Sequence, residues 1–100
     1  MGLFTTLKKN QGMRIGLGNT PIEVIVREIY GEQYKREADL EIRGIPNQTR
    51  VRLRYNEGLV RLADDLYVGV REERVKGKKV PMHFSTSFPM EKRSYEQEHI

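Results

Sequence analysis

Ile22-Glu23-Val24-Ile25-Val26-Arg27-Glu28-Ile29-Tyr30 is the run that decides the fold class. Ile22, Val24 and Val26 alternate with Glu23 and Arg27, the period of two that a strand with one wet face requires. Gly31 ends the run, and residues 32–37 are too polar to bury, so they form the tip of a long hairpin. Leu40, Ile42 and Ile45 resume the apolar pattern between Asp39, Glu41 and Arg43, and Gly44 and Pro46 close it. This second run is the partner of the first.

The sharpest alternation follows in residues 49–55, with Val51, Leu53 and Tyr55 on one face and Arg50, Arg52 and Arg54 on the other. Guanidinium groups two residues apart stand roughly 7 Å from one another, close to the repeat of a nucleic-acid backbone. Phosphate binding is one reading of these three arginines. The other is a solvated face paired across strands with glutamates such as Glu23 or Glu41. In residues 56–66 a cap at Asn56 and the spacing of Leu59, Leu62, Ala63 and Leu66 favour a short helix over a strand, although Gly58 weakens its start and Val60 fits a strand as well. Residues 66–75 read as a strand, Lys76-Gly77-Lys78 as a turn and residues 79–84 as the returning strand. The expected architecture is all-β or mostly β, a small antiparallel sheet or barrel of hairpins with at most one short helix. It occupies residues 1–84, and residues 85–100 form a polar, extended or disordered tail.

One hundred residues make one small domain with a thin core, for which self-association is a natural source of stability. There are no cysteines, which excludes a disulfide framework or thiolate metal site and suits a reducing cytoplasm. Neither a secretion signal nor an apolar run long enough to span a membrane is evident, so the expected location is cytoplasmic and no membrane partner is expected. The net charge of +4 and pI near 9.5 favour anionic partners mildly.

Little in the sequence supports catalysis. His83 and His99 lack carboxylates at metal-cage spacing, and Ser85, Thr86 and Ser87 read as a loop of small polar residues. Asp64 and Asp65 are adjacent and diverge, so they belong to a turn or helix surface. Gly16-Leu17-Gly18 reads as a hairpin turn and not as a dinucleotide loop. We therefore expect a protein that is not an enzyme and has no cofactor. Basic residues are the remaining signal: Lys8, Lys9 and Arg14, then Arg50, Arg52 and Arg54, then Arg71, Arg74, Lys76, Lys78 and Lys79. Phe4, Tyr55, Tyr67 and Phe84 lie near them in sequence and are available to stack on unpaired bases, although most aromatics of a small β domain pack in its core.

Residues 7–26 resemble the opening of the carbon storage regulators, a family of translational repressors. That family begins with a Leu-Thr-Arg-Arg segment, then a glycine, an apolar pair, a Gly-Asp turn and an alternating strand. Here Lys8 and Lys9 stand at the Thr-Arg places, Gly12 at the glycine, Ile15 and Leu17 at the apolar pair and Gly18-Asn19 at the turn. Gly44-Ile45-Pro46 is similar to the ending of the family's second hairpin, after a longer connection, and the likeness covers about half the chain. The resemblance implies an intertwined homodimer that binds GGA-bearing RNA leaders and blocks ribosome access, with Leu7, Lys8 and Lys9 on the RNA-facing edge. Val51-Arg52-Leu53-Arg54-Tyr55 replaces the family's second contact, with Arg54 nearest its arginine. Lys9 departs from the pattern, because lysine lacks the two-pronged guanine contact of arginine. The expected RNA-binding residues are thus Leu7, Lys8, Lys9, Arg50, Arg52 and Arg54. The competing expectation is a small inhibitor or adaptor that binds a protein partner through a sheet edge or the late hairpin.

Overall fold

The computed structural model describes residues 2–16, 19–46 and 49–98, which form nine strands and a terminal 3-10 turn. The strands are β1 (Gly2–Lys8), β2 (Gln11–Ile15), β3 (Ile22–Glu32), β4 (Lys35–Arg43), β5 (Arg50–Arg54), β6 (Val60–Ala63), β7 (Leu66–Val70), β8 (Lys79–Ser85) and β9 (Met90–Ser94). They make two antiparallel sheets, one of order β1-β8-β7-β6 and one of order β5-β4-β3-β2-β9. The mostly β expectation therefore holds, in the form of a sandwich whose inner faces share one core.

That core follows from alternation. Leu7, Leu62, Leu66, Val68, Val70, Val80, Met82 and Phe84 come from the four-stranded sheet and meet Met13, Ile15, Val24, Val26, Ile29, Leu40, Ile42 and Leu53 of the other. Val24, Val26 and Ile29 do not share one parity, yet all are buried in it. A bulge in the β3–β4 ladder between Val26 and Glu28 resets the phase and makes this compatible with one inward face. The β3–β4 pair is the long hairpin read from the sequence, with its turn at Gln33 and Tyr34. Gly31, at φ +90, belongs to that tip, and a Cβ there would lie 2.1 Å from the Lys35 carbonyl oxygen.

Three expectations need correction. Residues 56–66 contain no helix: β6 and β7 pair as a hairpin with Val60 opposite Val68. The helical spacing of Leu62 and Leu66 is met instead by a register shift between Arg61 and Ala63 and a tight turn at Asp64-Asp65, with Asp65 at φ 57. Three bonds fix this turn: Arg61 pairs with Asp64, and the Asp65 carboxylate accepts bonds from the amide and hydroxyl of Ser87. Those two donors hold the Asp65 carboxyl below its ordinary value. The polar C-terminal tail is the second correction, because Met90–Ser94 joins the sheet as β9 beside β2. Leu7 is the third. It is wholly buried, since alternation along β1 turns it inward against Val80, and its side chain has no exposed RNA-facing position. The expected turn at Gly16-Leu17-Gly18 falls largely outside the described residues, as does His99. Among the described residues, no helix is long and apolar enough to cross a membrane.

Candidate nucleic-acid interface

The two outward faces differ in charge balance. On the five-stranded sheet the arginines of β5 stand opposite carboxylates of β4, with Arg54 across from Glu37, Arg52 from Asp39 and Arg50 from Glu41. Arg54 Nε lies 2.9 Å from Glu37, while Arg52 lies 3.7 Å from Glu37 and 3.8 Å from Asp39. The Arg52 guanidinium also sits 4.2 Å from the centre of the Tyr30 ring, whose hydroxyl donates to Asp39. Glu41 is bonded by Arg27 at 2.9 Å and by Arg43 at 2.8 Å. Burial acts to raise the Glu41 carboxyl, but these two guanidinium groups outweigh it and hold it below the usual value. The cross-strand partners of Arg52 and Arg54 are thus Glu37 and Asp39. Glu23, the other partner expected from the sequence, instead accepts the Tyr95 hydroxyl.

That hydroxyl belongs to a C-terminal segment that comes back over this face. The Tyr95 amide donates to the Asn10 carbonyl at 2.7 Å, and the Asn10 amide donates to Val26 at 2.6 Å. Tyr95 and Ile25 are both buried there, Ile25 outside the main core. Burial, reinforced by Glu23, pushes the Tyr95 phenol far above its ordinary value. Because the pKa is raised on folding, this contribution is complete below about pH 10 and fades as the pH climbs above it. The melting temperature should therefore fall more steeply above that pH in the native protein than in Tyr95→Phe. Equal alkaline slopes in thermal melts would remove Tyr95 as the cause.

The outer face of the four-stranded sheet is built differently. Phe4 on β1 is paired in register with His83 on β8; their rings lie 4.3 Å apart and Phe4 is 58% exposed. The Arg71 guanidinium reaches to 4.3 Å from the Phe4 ring and pairs with Glu73 at 2.8 Å. Tyr67 on β7 is exposed on the same face, opposite Ser85. Four residues along β1 from Phe4, Lys8 stands opposite Lys79. Like charges directly across a ladder repel, and neither lysine makes an ion pair among the described residues. Lys9, beyond the end of β1, pairs with Glu28 at 2.7 Å.

Beside the two lysines runs the 71–78 segment, which carries Arg74, Lys76 and Lys78 on its exposed side. Buried Arg36 holds it by donating to the carbonyls of Gly77 and Gly31, each at 2.6 Å. Charge follows this division of the chain. Residues 1–10 and 58–88 hold eight Lys and Arg against four Asp and Glu, and the rest holds ten against ten. The full net charge of +4 thus lies with the segments that build the four-stranded sheet. Of the aromatics considered from the sequence, Phe4 and Tyr67 are exposed on this side, Tyr55 is half-buried and Phe84 belongs to the core. The Phe4–His83 pairing was hidden in the sequence, because its members are far apart and only the β1–β8 register joins them.

Among the described residues no group of three or more His, Asp or Glu is arranged to hold a metal ion. In comparisons with known proteins, no family model, no curated protein and no solved structure matches the chain.

Proposed function

We propose that this chain is a non-enzymatic RNA-binding regulator of translation, acting in the cytoplasm, that takes single-stranded or loop RNA on the outer face of its four-stranded sheet. The observation that carries this reading is that the whole net charge falls in the segments that build the four-stranded sheet, whose outer face carries exposed Phe4 and Tyr67 beside half-buried His83. Cations follow the phosphates and rings stack on unpaired bases, the combination by which sheets bind single strands. The resemblance to carbon storage regulators supports the same class. Lys8 belongs to the proposed site, together with Lys79 and the 71–78 segment. The arginines of β5 lie on the balanced face and contribute less.

Fluorescence anisotropy with a short unstructured RNA tests this. Replacing Lys8 and Lys79 together with alanine should weaken binding and lower the slope of log affinity against log salt by roughly 0.7 per lost phosphate contact. An unchanged affinity and slope would overturn this site.

One observation favours a protein partner as the second reading. β1 is an edge strand whose other side is occupied by β8 of the same chain. The open edge is partly capped, because Lys92 donates to the Thr6 carbonyl and the Lys8 amide to the Gln11 side chain. Alternation puts the backbone groups of Gly2 and Phe4 on the same edge, where an added strand would pair. A second copy of the chain pairing there would give the homodimer that the resemblance implies. Partner capture that survives nuclease treatment would favour the protein reading, and a solution mass of 11.7 kDa would exclude the dimer.

A further inference from the structure

Next to the Phe4–His83 pair lies an open groove of about 280 Å³, lined by Tyr55, Leu59, Arg71, Glu72 and His83 over a floor of glycine backbone. The floor explains two glycines. A Cβ on Gly69 would lie 2.5 Å from the Gly58 carbonyl oxygen, so the 58–59 segment crosses β7 where a side chain would block it. Gly58 itself has φ +70, a left-handed conformation that favours glycine. The result is an apolar side chain held outside the core: Leu59 is 45% exposed and faces the groove rather than the sandwich interior.

Building on the RNA-binding reading, we propose that this groove receives one unpaired nucleobase of a bound single strand. Leu59, Tyr55 and the His83 ring offer a base its apolar faces, while Arg71 at the rim and the Lys8–Lys79 pair beyond it meet the adjoining phosphates. The lysines beyond the groove favour a polyanion, and the apolar surface that Leu59, Tyr55 and His83 present inside it favours the part that carries no charge, while Arg71 and Glu72 stand among its lining residues. A base inside a duplex is stacked and paired on every side, so entry requires a single strand, a loop or an extruded base. Stacking of this kind tolerates any base, so the groove supplies selection for strandedness.

The test uses an unstructured RNA with the fluorescent base 2-aminopurine at its centre, alone and annealed to its complement. On the native protein the single strand should bind at least about tenfold more tightly than the duplex, with 2-aminopurine emission quenched on binding. Leu59→Glu should weaken single-strand binding by about tenfold and abolish the quench, while Leu59→Met retains both. Leu59 is exposed, so melts of the variants should stay close to the native one, and the quench on the native protein gives a readout independent of any variant. Equal, salt-dependent binding of both RNAs with unchanged emission would overturn the groove and leave the RNA-binding reading standing. No binding of either RNA would overturn both.

Discussion

Phe84→Ala is expected to destabilise the fold by about 3–5 kcal/mol, the largest effect of a single truncation in this chain. The ring is fully buried on β8, and its register neighbours are Leu3 on β1 and Val68 on β7. It stands where the four-stranded sheet meets the other layer. A small domain has about 5–15 kcal/mol in all, so this variant should lose much of its margin and melt roughly 15–30 °C lower. Phe4→Ala is the control from the opposite face of the same sheet. It gives up the His83 ring contact and the Arg71 cation, worth about 1 kcal/mol together at an exposed position, and should melt near the native temperature. If binding follows the proposed surface, the two variants separate folding from function: Phe4→Ala stays folded and binds weakly, whereas Phe84→Ala fails through unfolding. Equal losses of stability in the two would refute the assignment of one ring to the core and the other to the surface.

Arg36→Met should have the second largest effect, about 2–4 kcal/mol, and one that is local in part. Arg36 is 9% exposed and joins the β3–β4 tip to the 71–78 segment through two carbonyl oxygens, while its Nε finds no acceptor among the described residues. Each bond from a charged donor contributes about 1.5–3 kcal/mol, and deleting the side chain leaves the Gly31 and Gly77 carbonyls without it. Burial of an arginine that pairs with no carboxylate among the described residues offsets part of that gain. Val75, itself buried, adds one backbone bond to Gln33, at 3.3 Å. With the clamp removed, Arg74, Lys76 and Lys78 become early trypsin sites, and limited proteolysis should show cleavage there before the rest of the chain is cut. Arg36→Lys should not rescue, because one ammonium group on a flexible stem does not span both carbonyls in the same fork. Native-like resistance to trypsin in either variant would refute the clamp. The same loosening should weaken RNA binding, since the cations of this segment then lose their fixed position beside Lys79.

Strand content was legible wherever one face of a strand is wet. The alternation in β3, β4 and β5 is local, and no other arrangement of Val51 and Leu53 against Arg50, Arg52 and Arg54 serves as well. The β3–β4 hairpin and the return of β8 on β7 were legible for the same reason, aided by polar turns. Residues 56–66 misled because a bulged hairpin and a helix both place Leu62 and Leu66 on one side; the choice was made by Val68 and Phe84, which lie beyond that window. Met90–Ser94 reads as a polar tail because an edge strand exposed along most of its length needs little apolar sequence, and its place was fixed by the open side of β2. The presence of basic residues was likewise plain, but their balance was not. Arg52 and Arg54 meet Glu37 and Asp39 only through the β4–β5 register, while Lys8 meets Lys79 only because β1 crosses to pair with β8. Side-chain periodicity by itself determined that β3, β4, β5, β7 and β8 are strands and which of their faces are polar, because it depends on neighbours two residues away. Which charges cancel, which ring is buried and where a groove opens were decided by tertiary structure alone, because those properties depend on strands that the chain brings together from opposite ends.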